Sequence, residues 1–474
     1  MHSFASSFEA HESQIALLVI CCFSEVFLIW FLVAIVRDER RMRARRSSAS
    51  SEKSHQLRLA IQSQKFGRAR VRLTRIPGDR FGSGSLKLLW LLVGILLSTS
   101  IRLCAQSTNQ TQTTPPPPSP LSTPSITGPL QAAAPIEFDA GPLGKLDLDG
   151  IVSGMGLVQG NHVAEDNVAQ AALSNGQAWI QKSTGWWQFY VQAGAYNILA
   201  LGTPFLPTDK ALTDLYGPVP VAFVKLVPGK NTSILVGALP TLMGAEYTFD
   251  FENMNIERGL LWNQENAVNR GIQLNQTLGK FTASFSWNDG YYSNRYSWLS
   301  GSLTYSKGPH SLSFVGMGNL GQTVRQTLAT PVQNNSSMYA LIYTYTKGAW
   351  IIQPYYQYSS VPTNPSVGVL RGATTNGGAL LLSRTLKHGF SLAGRGEYIA
   401  STGSAAQNSV NLIYGPGSSA WSLTVTPTFQ QGRFFTRGEL AFVRANSITP
   451  GAAFGSSGTS QNQPRAVIEA GFLF

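Results

Sequence analysis

Two Arg-x-Glu steps, Arg395 with Glu397 and Arg437 with Glu439, are the most legible chemistry in this chain. In a β-strand, residues two apart leave from the same face, so each step puts a guanidinium beside a carboxylate. The opposite faces carry Leu392 and Tyr398 in one segment and Leu440 and Phe442 in the other. Opposed fixed charges along a wet passage would create a transverse field that orients dipoles and sorts ions. The same residues could equally be cross-strand pairs that stiffen a wall. Lys225 and Arg384 are further single charges on strand-like segments. A charge on a lipid-facing strand position costs about 2–4 kcal/mol at the midplane, so all six are expected to point inward.

Other candidate chemistry is thin. His162, His310 and His388 stand apart, with no pair at metal-ligand spacing, and no nucleophile motif accompanies them. No metal, cofactor or catalytic residue is expected. Gly316-Met317-Gly318-Asn319-Leu320-Gly321 matches a dinucleotide string, but a Thr/Gln-rich stretch follows it where a helix is required. Asp147 and Asp149 alternate with Leu146 and Leu148; the pair could coordinate a cation, but it reads better as exposed acids on a periplasmic entry strand. All three cysteines, Cys21, Cys22 and Cys104, precede residue 106, so the rest of the chain has no disulfide, thiolate metal site or Cys nucleophile.

The elements that must carry these charges alternate with period 2. Ser422, Thr424, Thr426, Thr428 and Gln430 share one face; Trp421, Leu423, Val425, Pro427 and Phe429 share the other. The same pattern runs around Phe281, Phe285 and Trp287, and around Phe189 and Val191. Segments of about ten residues, polar with Ser, Thr, Gln and Asn on one side and apolar on the other, are the signature of transmembrane β-strands. Lys307-Gly308, Lys347-Gly348, Lys387-His388-Gly389 and Leu278-Gly279 mark tight turns that need a positive φ. Longer stretches at 320–336, 360–376, 402–408 and 446–463 alternate with them. Tyr and Trp gather near strand ends, as at Trp298, Tyr305, Trp350 and Tyr358. The fold expected is all-β: a transmembrane antiparallel barrel of about sixteen strands, closed by the C-terminal strand. On that last strand Ala466, Ile468, Ala470, Phe472 and Phe474 form a charge-free face, with Phe472 and Phe474 as a terminal assembly signal.

One segment departs from the alternation. Residues 252–270, with Glu252, Glu257, Arg258, Glu265 and Arg270, show helical spacing at Ile256, Leu260 and Leu261. They read as a long loop that either folds into the lumen and narrows it or caps the barrel outside.

The working part is assigned to 146–474. Ahead of it, 106–145 is a Pro/Thr/Ser-rich linker, with Pro115 to Pro118 consecutive. Residues 86–105 read as a signal peptide, cleaved after Ala105. Residues 1–85 form an extension with an apolar segment at 15–36, either the product of a misassigned start codon or a real membrane helix flanked by arginines. Charge follows this division. The chain is +12 overall, but residues 1–105 hold 16 Lys+Arg against 7 Asp+Glu and the remainder 20 against 17. The body therefore lacks a basic face, which excludes nucleic-acid binding. Charged residues are only 13% of the chain, about half of ordinary globular usage.

Trp287-Asn288-Asp289-Gly290-Tyr291-Tyr292-Ser293, running into Trp298-Leu299-Ser300-Gly301, resembles the OmpL-like β-barrel porin-2 family of bacterial outer membranes. So do Gly237-Ala238-Leu239-Pro240-Thr241 with Gly244-Ala245-Glu246, and Gly185-Trp186-Trp187-Gln188-Phe189. The resemblance implies an outer-membrane, porin-like barrel and supplies no catalytic residues. The expected function is passive diffusion of small hydrophilic solutes or ions through a water-filled lumen. A plugged structural or adhesive barrel is the first alternative and an outer-membrane hydrolase the second. The partners expected are outer-membrane lipid, the barrel-assembly machinery acting on the C-terminal strand and small hydrophilic solutes, with a monomeric or homotrimeric assembly.

Overall fold

The computed structural model describes residues 127–164, 166–323 and 332–474. The proposed extension, its apolar segment at 15–36, the signal peptide and most of the linker lie outside the described residues. Seventeen strands make one antiparallel sheet. They are β1 (Ile136–Asp139), β2 (Lys145–Gln159), β3 (Ala169–Lys182), β4 (Trp187–Tyr196), β5 (Val221–Gly229) and β6 (Thr232–Pro240). There follow β7 (Val268–Leu278), β8 (Phe281–Asn288), β9 (Trp298–Lys307), β10 (His310–Asn319), β11 (Ser337–Lys347) and β12 (Trp350–Val361). The last are β13 (Ala373–Thr385), β14 (Phe390–Ser401), β15 (Ser419–Gln431), β16 (Phe434–Asn446) and β17 (Asn462–Leu473).

Strands β2 to β17 form a closed barrel of sixteen, each pairing with its neighbours in sequence, and β17 pairs back onto β2. Full closure leaves no strand edge, which a lipid environment demands because it offers no water to satisfy backbone groups. The seam is pinned at its end by two bonds between Phe474 and Gly150. Beyond that point β1 takes over the lane of β17, pairing with 145–148 of β2.

Period-2 alternation sets which residues face out. Ile468 and Phe472 are 62% and 55% exposed on the outside of β17, while Arg465, Val467 and Glu469, of the opposite parity, are buried inside. Phe472 meets Phe434 of β16 edge to face across the outer surface. On β15 the Ser422–Thr428 face is buried and Val425 looks out. Turns at Gly279, Gly308, Gly348 and Gly432 have φ near +60°, the conformation only glycine takes without strain. Short connections of two to four residues lie on one rim, and long ones of nine to twenty-seven on the other. The stretch expected at 402–408 runs on to 418. Leu412 there buries against Val361 and Ala373, at the ends of β12 and β13, and against Val369.

β3 breaks the alternation once. Its register with β2 shifts between Ser153 and Gly154, so Ser174 is an extra residue and both Ser174 and Asn175 turn inward. Such a bulge re-aims side chains without ending the strand.

Candidate functional site

The loop between β6 and β7, residues 241–267, enters the barrel, and its central part is buried: Phe249, Phe251, Asn255, Ile256, Glu257, Arg258 and Leu261 are at most 1% exposed. Its neck is closed by Thr241, whose amide donates to the Ala267 carbonyl and whose hydroxyl donates to Asn266. Its tip is a tight turn. Asn253 accepts from the Tyr247 amide and donates to the carbonyls of Tyr247 and Phe249, and Glu252 accepts from the Phe249 amide. Phe251 stacks on Trp179 of the wall at 5.7 Å. The preceding long loop comes in beside it: Ala200 and Arg258 form a parallel bridge, with bonds of 2.9 and 3.0 Å.

The wall charges hold this loop. Glu397 accepts the amides of Leu260 and Leu261 and the Ser422 hydroxyl. Glu439 accepts the amides of Ile256 and Glu257, at 2.6 and 3.0 Å, and the Thr426 hydroxyl. Each carboxylate thus takes two successive backbone N–H groups, the arrangement that stabilises an anion best away from water. Arg395 donates to Glu246 at 2.5 Å and to the Glu257 carbonyl at 2.7 Å. Arg437 pairs with Glu469 and reaches the Asp250 carbonyl at 3.2 Å. Arg465 of β17 pairs with Glu257 at 2.8 Å and also donates to the Ala200 carbonyl. The bulge on β3 completes the ring: Ser174 donates to Glu469 and Asn175 to Asp250, at 2.8 and 2.6 Å. Burying ions is expensive unless partners replace water, and here loop and wall supply them to one another.

Where partners run short, protonation compensates. Burial, reinforced by the charges of Glu246 and Glu397, pushes Glu265 up to about 8, against hydrogen bonds from Tyr355 and Gln357. Burial and the nearby Glu469 charge push Asp250 up to about 7.

The four wall residues of the Arg-x-Glu steps therefore come together with Glu252, Glu257, Arg258 and Glu265 in one interior network. Two expected members do not join it. Arg270 is not part of the loop: it lies in β7 with outward parity, ion-paired to Asp289 and set over the Tyr292 ring. Arg384 also points outward, at the short-turn rim, over Trp350 of the adjacent strand. The midplane penalty does not act there, because a long Arg at the rim reaches the polar interface. Lys225 faces inward on β5 and is half-buried. Glu246, Asp250, Ser174, Asn175, Arg465 and Glu469 were not anticipated. Arg465 and Glu469 had a readable signal, since they share one face of the last strand at i and i+4. Asp289 of the Trp-Asn-Asp-Gly motif accepts from the Arg270 and Asn294 amides, which explains the motif as a loop brace. Among the described residues no group of three or more His, Cys, Asp or Glu could hold a metal ion.

The barrel is similar to solved outer-membrane barrels. The outer membrane channel DcaP of Acinetobacter baumannii matches with TM-score 0.50 at 11% identity, over 72% of this chain and 100% of that one. OmpT of Vibrio cholerae matches with TM-score 0.48 at 11% identity, over 72% and 100%. Likeness at such identity speaks for the fold alone. No curated protein matches the sequence. The family model described as "Putative beta-barrel porin-2, OmpL-like" covers residues 145–474, and the chain belongs to that family of outer-membrane barrels.

Proposed function

We propose that the protein is an outer-membrane porin passing small hydrophilic solutes by diffusion, with loop 241–267 as the element that restricts the path. One observation carries this reading: the charges on the barrel wall are turned to loop backbone and loop side chains. Glu397 and Glu439 each grip two loop amides, and Arg395 and Arg465 reach loop carboxylates. Such contacts position a restriction reversibly, since each can be exchanged for water when the loop moves. In this reading residues 86–105 direct export and the part of 106–145 ahead of Thr127 acts as a periplasmic spacer.

The test is planar-bilayer recording of protein extracted from outer membranes of cells expressing the full chain. Small discrete steps are expected. A variant in which residues 244–264 are replaced by a short Gly/Ser bridge is expected to give steps several times larger. Complete silence of the parent at every voltage, together with no solute uptake in liposome swelling, would establish instead a plugged barrel with a structural role. The saturation of the same wall charges is what favours that second reading.

A further inference from the structure

Residues 127–131, Thr-Gly-Pro-Leu-Gln, meet the tip of the inward loop from the opposite end of the barrel. Thr127 donates its amide and its hydroxyl to the Glu252 carbonyl, at 3.1 and 3.0 Å. Gly128 packs so closely that a Cβ there would stand 2.1 Å from the Asn253 carbonyl oxygen. That same carbonyl, with the Asp250 carbonyl, faces Arg437, the wall residue paired with Glu469. Leu130 is buried in the cluster that holds Trp179, Tyr190, Phe251, Phe435 and Leu473. Gln131 and Gln430 then exchange two bonds of 2.8 Å, clipping the segment to β15 next to a short turn.

The residue types suit an interior. Gly128 has no side chain to accommodate and Pro129 no N–H to satisfy. The loop comes down from the rim of long connections, and this segment comes up from the rim where the short turns and both ends of the barrel sequence lie. We propose that residues 127–131 are an intramolecular latch that caps the Glu252–Asn253 turn and holds loop 241–267 in the lumen. Without the latch, the Glu252 carbonyl loses both of these donors and Leu130 leaves its cluster, and the docked loop is the less favourable for it. Withdrawal of the segment toward the periplasm thus releases the loop and widens the path.

The proposal rests on the porin reading, so its test has a readout that does not need current. The body contains no cysteine, and a Met254→Cys variant of the full chain in which Cys21, Cys22 and Cys104 are changed to serine has its single thiol beside the latch turn. In detergent-extracted protein that keeps heat-modifiable migration on gels, this thiol is expected to react slowly with a polar maleimide. Deleting 127–131, or introducing Gly128→Val, should speed the reaction at least tenfold and enlarge bilayer steps. Labelling within twofold of the parent in both folded variants would overturn the latch. Faster labelling with silent bilayers would keep the latch and remove the porin reading.

Discussion

Glu265 sits where a negative charge is poorly tolerated. One carboxylate oxygen accepts from Tyr355 and Gln357, while the other lies against Gly244 without a hydrogen-bond partner. Glu246 and Glu397 add repulsion. A loop released into water would return Glu265 to the ordinary carboxylate value of 4.5, whereas the docked loop holds it at about 8. A raised acid binds its proton in the docked state, so docking is strongest below about pH 4.5 and weakens progressively as pH rises through 8. Asp250, held near 7, acts in the same direction. Conductance should therefore rise between pH 6 and pH 9, and Glu265→Gln should flatten much of that rise. An unchanged slope in Glu265→Gln would remove this residue from the loop equilibrium. At this scale the sequence disclosed Arg395, Glu397, Arg437 and Glu439, because spacing by two is visible in a string of letters. It did not disclose what they bind. Glu246 belongs to a segment with no period to read, and the bond from Arg395 to it joins residues 149 apart.

Strands were the most legible elements, since lipid outside and polar groups inside impose one alternation on sixteen segments. The alternation fails to announce the β3 bulge. One inserted residue leaves Ser174 and Asn175 looking like an ordinary polar pair, and only pairing with β2 shows both turned inward. Leu412, outside the alternation, is buried against Val361 and Ala373 at the ends of β12 and β13 and against Val369 between them. The outward face of β17 gives the sharpest test of the alternation. Ile468→Arg should lower barrel stability in lipid vesicles by about 2–4 kcal/mol, read as a shifted urea midpoint, with Ile468→Ser costing less. An unshifted midpoint for the arginine variant would mean that this face does not meet hydrocarbon.

Across the whole molecule, the net positive charge of the full chain is a poor guide to the interior. Around the loop, Glu246, Asp250, Glu252, Glu257, Glu265, Glu397, Glu439 and Glu469 are buried with only Arg258, Arg395, Arg437 and Arg465 to oppose them. In the proposed porin, above about pH 8, where Glu265 and Asp250 have lost their protons, an ion meets an excess of carboxylate, and the low dielectric of the wall strengthens that field. Reversal potentials in a salt gradient at pH 9 should show preference for cations, increased further by Arg437→Ala. Anion preference in the parent would refute this account of the lumen field. The grip of the wall on the loop also bears on how the molecule is made. The loop precedes β7, yet its anchors sit on β14, β16 and β17, with contacts spanning 137, 183 and 208 residues. A nascent chain that has just emitted residues 241–267 has nothing for them to hold. Docking of the loop thus waits for the last strand to be synthesised and exported, and contacts of such range form slowly. A chain truncated before β17 loses more than its seam: Arg465 and Glu469 go with it, and the interior is left without two of its four basic-acidic clasps.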